Sequence, residues 1–410
     1  MKTIKSEAER CLRCKNPRCS KNCPVGTPVP QVVELFKAGE IKKAGELLFN
    51  NNPLSAVTSI ICPHERNCYG HCVLGMKGDP IEFYKIEQYI SRFYLDTFTV
   101  PEIEKKGRRV AVAGAGPAGI TMSIILALNG YDVTLFEAEG DIGGVLRYGI
   151  PDFRLSKDML ETYKNILLKL GVHIRHNTRI GFNLHSNDLF MDGYKIVFHA
   201  FGTGRPNKLG LLGETFGHVH FAIDYLRSPA NYSLGRKVAV VGAGNVAIDA
   251  ARTAIRRGHA EAVIINRAGA EDMPASPSEV ELAAIDGVEF IHNAQAVKIN
   301  DRSVSCVNVI RTVGEDGRID YEEDFTKPFE VEADSVILAI GQGPGAELEY
   351  GKCVQTSARG FITVDEFGET STRNVFAAGD IVTGPSTVVQ AVAAAIKTSR
   401  AVLKRLEELG

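Results

Sequence analysis

Apolar positions recur at helical spacing through much of the first hundred residues. In "VPQVVELFKAGEIKKAGELLFNNNP" they fall at Val32, Val33, Leu35 and Phe36, then at Ile41, Ala44, Leu47 and Leu48, with a break near Gly39. The segment "PIEFYKIEQYISRF", Pro80 to Phe93, has the same rhythm. A polar stretch from Asp96 to Gly107, "DTFTVPEIEKKG", reads as a linker, with Pro101 breaking any helix. Beyond it the pattern changes. Val110 to Ala113 is a short apolar run expected as a buried strand, Pro117 to Asn129 a helix, and Asp132 to Glu137 a second strand. The same succession returns in "RKVAVVGAGNVAIDAARTAIRRGHAEAVIINRAG". Near the C-terminus a strand ending at Phe376 leads through Gly379 and Asp380 to a long apolar helix starting at Ser386. The pattern predicts an α/β chain, with a small helical domain ahead of two Rossmann-like dinucleotide-binding units.

Composition narrows the function. With 410 residues, 44% hydrophobic and 23% charged, the chain has enough apolar material for two or three soluble domains. A formal net charge of −2 gives no reason to expect nucleic acid or an anionic membrane as partner. The opening "MKTIKSEAER" lacks the apolar core of a signal peptide, and no run approaches the length of a membrane helix, so a cytoplasmic protein is expected.

Cysteine usage is the first chemical signal. Seven of nine cysteines precede Gly75, as Cys11, Cys14, Cys19 and Cys23, then Cys62, Cys68 and Cys72, and Pro follows both Cys23 and Cys62. In a reducing compartment such clusters point to metal or redox chemistry rather than disulfides. Structural zinc also takes four cysteines, usually as two short Cys-x2-4-Cys knuckles, whereas the Cys-Pro grouping seen here is that of ferredoxin-type iron–sulfur sites, which the spacing as a whole favours. Seven thiolates fall one short of two four-ligand clusters. An eighth ligand is expected, and the Pro80 segment offers Glu87, with Gln88 beside it. Cys306 and Cys353 stand apart and are expected to be buried apolar residues.

Glycines carry the second signal. Gly114, Gly116 and Gly119 form a Gly-x-Gly-x-x-Gly turn between strand and helix, with Pro117 and Ala118 opening the helix. Glu137 closes the second strand. In this setting the glycines let backbone approach a pyrophosphate, the helix N-terminus favours its charge, and the acid accepts from ribose hydroxyls. In the second unit Gly242, Gly244 and Ala247 hold the fingerprint positions, with Asn245 and Val246 between them. Asn266 and Arg267 stand where the first unit has Glu137. A cation without a competing acid favours the 2′-phosphate of NADP over NAD.

The sequence resembles the glutamate synthase small (β) chain family, including the N-terminal half of dihydropyrimidine dehydrogenase and the large subunit of the electron-bifurcating ferredoxin:NADP oxidoreductase. The resemblance rests on the two cysteine groups, "GAGPAG" with Glu137, "GGVLRYGIPDFRLSK" at 143–157, "GAGNVAIDAAR" at 242–252, "MPASPSEVELAAIDGVEF" at 273–290 and "NVFAAGD" at 374–380. It implies FAD on the first unit and NAD(P)H on the second, with the second inserted into the first. The expected domains are a helical iron–sulfur domain at 1–95, a linker at 96–107, an FAD domain at 108–230 and 331–410, and an NAD(P)H domain at 231–330. Within Gly143 to Pro151, Gly143, Gly144, Arg147, Gly149 and Ile150 are candidates for the flavin-side loop. Gly379, Asp380 and Thr387 are expected to return to the flavin, and Gly341 to face the second nucleotide. One [4Fe–4S] cluster would be held by Cys11, Cys14, Cys19 and Cys72, the other by Cys23, Cys62, Cys68 and Glu87.

Three departures from the family pattern stand out. The Cys-x5-Cys-x3-Cys spacing at 62–72 is closer to the dihydropyrimidine and bifurcating relatives, Arg267-Ala268 replaces two consecutive arginines, and Ala395 replaces a Gly. The resemblance implies hydride transfer between nicotinamide and flavin, then single-electron transfer through the clusters, with no acid–base catalytic residue. No Cys-x2-Cys lies in either nucleotide unit, which disfavours a redox-disulfide mechanism. No further domain is present for glutamine, 2-oxoglutarate or a pyrimidine, so a partner subunit is expected to supply that chemistry. The alternatives are a bifurcating or a dihydropyrimidine dehydrogenase electron-input subunit and, from another class, a non-catalytic redox-sensing module.

Overall fold

The structure is a computed structural model that describes residues 3–182, 184–258, 261–313, 318–345 and 354–409. Cys353 lies outside the described residues. The chain divides into two compact units, one comprising Met1–Arg147, Asp152–Thr203 and Pro344–Gly410, the other Tyr148–Pro151 and Gly204–Gly343.

The first unit begins with helices Ile4–Arg10, Val29–Lys37, Ile41–Asn51, Ser55–Ile61 and Phe83–Asp96, with the short turn of helix Arg18–Lys21 among the cysteines. The expected break at Gly39 is real: Gly39 has φ +80°, a left-handed turn that an L side chain rarely adopts. Val32, Val33, Ala44, Leu48, Ile86 and Ile90 form one buried core, against which Cys11, Cys19 and Cys72 pack. The apolar spacing of Phe83, Ile86 and Ile90 places Glu87 on the inward face of its helix, at 7% exposure, and leaves Gln88 outside.

The rest of the first unit is a five-stranded parallel sheet. Strand Arg109–Ala113 lies at its centre, flanked by Asp132–Phe136 then His173–Arg175 on one side and by Ile196–His199 then Val375–Ala377 on the other. The last strand enters after the whole of the second unit has intervened. Helices Pro117–Leu128 and Val388–Glu408 pack together. The second starts two residues later than expected, because Thr387 caps it in a reciprocal pair with Gln390. Ala395 is fully buried in it.

The second unit repeats the parallel arrangement, in the order Val219–Phe221, Ser335–Leu338, Lys237–Val241, Glu261–Ile265, Glu289–Ile291. An antiparallel sheet of Ala294–Ile299, Ser303–Val313 and Ile319–Glu332 adjoins it in sequence. Because Ser335–Leu338 pairs directly with the fingerprint strand Lys237–Val241 and with Val219–Phe221, the unit is wider than the 231–330 segment expected. Fingerprint spacing marks the start of a nucleotide fold but not the strand that completes its sheet.

Candidate functional site

The thiols lie in overlapping surroundings, with Cys68 near Cys19 as well as near Cys62 and Cys23. Burial raises the Cys11 and Cys19 thiols, and Cys72 lies near both, with Cys14 beside Cys11. Burial pushes Cys62 up to about 12 and Cys68 well above its ordinary range, and the Glu87 carboxyl lies near each, with Cys23 next to both. Donors already face several sulfurs: Asn67 Nδ2 donates to Cys62 Sγ at 3.0 Å, the Ile81 amide to Cys72 Sγ at 3.5 Å, and Thr27 Oγ1 lies 3.3 Å from Cys23 Sγ. Such hydrogen bonds to sulfur tune iron–sulfur potentials.

These surroundings fit inorganic clusters. Cys11, Cys14, Cys19, Cys68 and Cys72 line one small cavity of about 30 Å³, together with Leu12, Arg18, Val29 and Phe83. Among the described residues no three His, Cys, Asp or Glu side chains converge tightly enough for a single ion. Zinc draws its sulfurs to about 2.3 Å from one centre, whereas a four-iron cube holds its thiolates further apart. Glu87 has no hydrogen bond among the described residues, and burial pushes it up to about 8. An unpartnered buried carboxyl is costly unless a cation meets it.

Sequence reasoning missed Tyr163, on helix Lys157–Lys169, which reaches the same place. It is fully buried, with the Ala56 backbone and the Glu87 carboxyl as neighbours, yet its hydroxyl makes no hydrogen bond of normal geometry. A tyrosine at helical spacing reads as core, so nothing in the sequence marked it.

The first-unit fingerprint is built from close backbone approaches. Gly114 has φ +102°, and a Cβ there would lie 2.4 Å from Ala200 O; a Cβ on Gly119 would lie 1.8 Å from Gly114 O. Neither position can carry a side chain as the loop stands. Gly143 donates its amide to Ala115 O at 2.8 Å, and a Cβ on Gly144 would meet the Gly116 Cα at 2.9 Å. The Gly143-Gly144 turn therefore lies on the fingerprint loop, where bare backbone can line a flat ligand. Glu137 accepts the Ala115 and Glu139 amides through separate oxygens, 2.8 Å each, and burial raises its carboxyl. Gly379 faces Ala118 at the helix start, and burial raises Asp380, whose Oδ1 accepts from Ser386 at 2.8 Å. Pro117 opens the helix. Each carboxylate keeps acceptor capacity for a ribose or ribityl hydroxyl.

The fold gives each of the other expected flavin-side residues its own surroundings. Arg147 is turned to acids, 2.6 Å from Glu161 and 3.4 Å from Asp141, and donates to Ile142 O. Gly149 and Ile150 belong to the Tyr148–Pro151 segment that groups with the second unit. The Thr387 hydroxyl is engaged in its helix cap. His199 was not foreseen. It ends the strand beside the fingerprint, fully buried, with neither ring nitrogen hydrogen-bonded among the described residues, and burial lowers it to about 4.

The second fingerprint follows the same plan. Gly242 has φ +133°, and a Cβ there would lie 2.3 Å from Ala339 O, matching Gly114 against Ala200. Ala247, at the third position, is fully buried, so this turn tolerates the methyl that the first excludes. Gly244, Asn245, Val246 and Gly341 line a cavity of about 110 Å³ with Pro206, Ile223 and Gln342. Asn245 Oδ1 accepts the Ser276 amide at 2.9 Å, which draws the "MPASPSE" segment to the loop. Arg252 is buried and ion-paired to Glu279 and Asp286 at 2.8 Å each, fastening that segment to the fingerprint helix. A lone arginine on a helix gave no such signal.

Gly114 and Gly242 donate to Phe136 O and Ile265 O respectively, so Asn266 is the counterpart of Glu137, and Arg267 lies one residue further. Asn266 is buried and its Oδ1 accepts the Ala268 amide at 3.0 Å. Arg267 is exposed, donates to Tyr321 O at 3.3 Å and sits 5.8 Å from that ring. The Tyr321 hydroxyl in turn donates to Asp272 at 3.0 Å, as does Arg311. Cys306 is buried, as its isolation in the sequence implied.

Comparison with known proteins agrees with this construction. Residues 108–395 match the pyridine nucleotide-disulphide oxidoreductase family, and residues 1–97 match dihydropyrimidine dehydrogenase domain II, 4Fe-4S cluster. The glutamate synthase [NADPH] small chain of Escherichia coli is 33% identical, over 98% of this chain and 91% of that protein. The NAD-dependent dihydropyrimidine dehydrogenase subunit PreT homolog of Salmonella typhi is 32% identical, over 98% and 94%. Among solved structures, Mycobacterium tuberculosis FprA in complex with NADPH matches the fold with a TM-score of 0.64, at 16% identity, over 74% of this chain and 85% of that one. The chain belongs to the pyridine nucleotide-disulphide oxidoreductase family, with a 4Fe–4S domain at its N-terminus. It is an NAD(P)H-dependent oxidoreductase whose cofactors are FAD, a pyridine nucleotide and iron–sulfur. Among the described residues no helix is long and apolar enough to cross a membrane.

Proposed function

We propose that this chain is the electron-transfer subunit of a cytoplasmic complex, exchanging electrons between NADPH and a partner subunit through FAD and two [4Fe–4S] clusters. The observation that carries the reading is the sharing of one compact unit by seven clustered thiols and the FAD fingerprint. When bound, the flavin converts between a two-electron hydride and single electrons, and the clusters carry the single electrons. The protein supplies position and field. Gly114, Gly116 and Gly119 admit the pyrophosphate, Glu137 and Asp380 accept sugar hydroxyls, and Gly143-Gly144 line the ring system with backbone. Gly244, Asn245 and Gly341 seat the nicotinamide nucleotide, with Arg267 near the adenosine 2′-position. Cys11, Cys14, Cys19 and Cys72 hold one cluster; Cys23, Cys62, Cys68 and Glu87 hold the other.

Relatives named for NADPH and for NAD are equally similar, so likeness does not choose the nucleotide. Arg267 and the absence of an acid at 266 support NADPH. The decisive experiment is anaerobic purification with iron, sulfide and flavin assays, followed by NADPH-driven dye reduction. About eight iron per chain are expected from two four-iron clusters, with one FAD. Zinc without sulfide, or bound nucleotides without turnover, would leave the redox-sensing alternative in place of this one.

A further inference from the structure

The loop that follows strand Glu261–Ile265 is held by its backbone. The Asn266 amide donates to Ile291 O at 2.8 Å, the Ala294 amide to Asn266 O at 3.0 Å and the Asn293 amide to Ala268 O at 3.1 Å. Asn266 Oδ1 takes the Ala268 amide as well, at 3.0 Å. Arg267 therefore leaves a fixed main chain, and with Ala268 after it a single side chain supplies the positive charge at this corner. An exposed arginine on a fixed backbone still has several free torsions, and a ligand that must order them loses part of its affinity.

The antiparallel hairpin orders that side chain in advance. Arg311 on strand Ser303–Val313 and Tyr321 on strand Ile319–Glu332 stand directly opposite each other. Arg267 Nη2 donates to Tyr321 O at 3.3 Å, and its guanidinium carbon lies 5.8 Å from the centre of the Tyr321 ring, within reach of the negative ring face. The ring is fixed in turn. Its hydroxyl donates to Asp272 Oδ2 at 3.0 Å, and Arg311 pairs with the same carboxylate. The acid joined to this tyrosine is thus already matched by a cation, whereas Arg267 has no carboxylate partner among the described residues. Its guanidinium keeps further N–H donors for an incoming anion.

We propose that Tyr321 is a positioning residue for nucleotide choice, its ring and carbonyl holding the Arg267 guanidinium ready for the 2′-phosphate of NADPH. This rests on the NADPH reading of the second unit given above. NADH has a hydroxyl at that position and gains nothing from the ordered cation. Discrimination then belongs to the hairpin as well as to the loop after the second strand, and it acts at the adenosine end, away from the nicotinamide.

The test uses adenosine 2′,5′-bisphosphate and 5′-AMP as probes in calorimetry, which report on the adenosine half of the site, together with NADPH- and NADH-driven dye reduction by the holoenzyme. Tyr321→Ala should weaken adenosine 2′,5′-bisphosphate about 3- to 10-fold, the factor that ordering one such side chain costs, and leave 5′-AMP as it was. The KM for NADPH should rise by a similar factor, with kcat and the KM for NADH unchanged. Tyr321→Phe keeps the ring and the carbonyl and should stay within about twofold of the wild type. In an Arg267→Ala background, Tyr321→Ala should have no further effect on either probe, because the side chain it orders is gone. An unchanged affinity in Tyr321→Ala, equal weakening of both probes, a loss in Tyr321→Phe as large as in Tyr321→Ala, or a further loss in the Arg267→Ala background would each overturn the positioning role. Equal weakening of both probes by Arg267→Ala alone would instead overturn the NADPH reading on which it rests.

Discussion

Removing the Glu87 carboxyl tests the division of the thiols into two ligand sets. Without iron, burial holds this group at about 8 against an ordinary 4.5. Between those values the native chain keeps a proton that the unfolded chain releases, so stability falls as pH rises through the window. The penalty is absent below 4.5 and complete above about 8. At pH 7 it amounts to about 3 kcal/mol, from about 2.5 pH units at 1.36 kcal/mol each. An iron ligated by Glu87 would offset this by meeting the carboxylate with positive charge. Chelator-stripped protein should therefore be less stable to urea at pH 8 than at pH 5, and Glu87→Gln, which keeps an oxygen donor without charge, should lose that difference.

The holo protein gives the sharper readout. In Glu87→Ala, iron should fall from about eight to about four per chain, with one of the two reduced cluster EPR signals lost. Gln88→Ala should keep both, because Gln88 is exposed. Glu87→Cys should keep the four irons where geometry allows a thiolate. Two intact signals in Glu87→Ala, with loss in Gln88→Ala, would refute the assignment and turn the opposite helix face to the cluster. An identical pH profile of stripped wild type and Glu87→Gln would refute the electrostatic argument separately.

Other perturbations test the nucleotide units. Arg267→Ala should raise the KM for NADPH about 10- to 100-fold, the loss of a charged hydrogen bond worth about 1.5–3 kcal/mol, with little change for NADH; equal effects on both would remove Arg267 from the 2′-phosphate. Gly119→Ala puts a methyl 1.8 Å from Gly114 O, and the purified protein should contain little FAD while NADP⁺ binding by calorimetry persists; full flavin content would show that the loop can shift. His199 is held neutral, lowered from 6.5 to about 4. Its contribution is fully present above pH 6.5 and is lost as pH falls toward 4, about 3 kcal/mol in all. His199→Leu should flatten the acid limb of the urea midpoint, and an unchanged limb would show that other groups set it.

The sequence carried the parts of this fold that depend on local chemistry. Glycine spacing at 114–119 and 242–247 identified both turns because only backbone without Cβ fits against Ala200 and Ala339. Helical periodicity from Val32 to Leu48 was legible because one face of each helix has to enter the core. Cysteine spacing told of clusters because thiols this dense have few other uses in a reducing compartment. Less legible was whatever depends on residues far apart in the chain. That strand Ser335–Leu338 belongs beside Lys237–Val241 is fixed by pairing across nearly a hundred residues, which no spacing rule reports.

The same limit explains the side chains that sequence reasoning passed over. Tyr163, His199 and Arg252 carry no motif of their own, since a buried tyrosine, histidine or arginine differs from an ordinary one only in its surroundings. Arg147, a candidate for the flavin-side loop by resemblance, has its pairing with Glu161 and Asp141 fixed only by the fold. Glu87 is the intermediate case. Counting thiols asked for an eighth ligand and the family resemblance put it at Glu87, yet its burial without a hydrogen bond among the described residues emerged only in three dimensions. A carboxyl held that way keeps its proton up to about pH 8, and an iron beside it would offset the cost of ionising it in place.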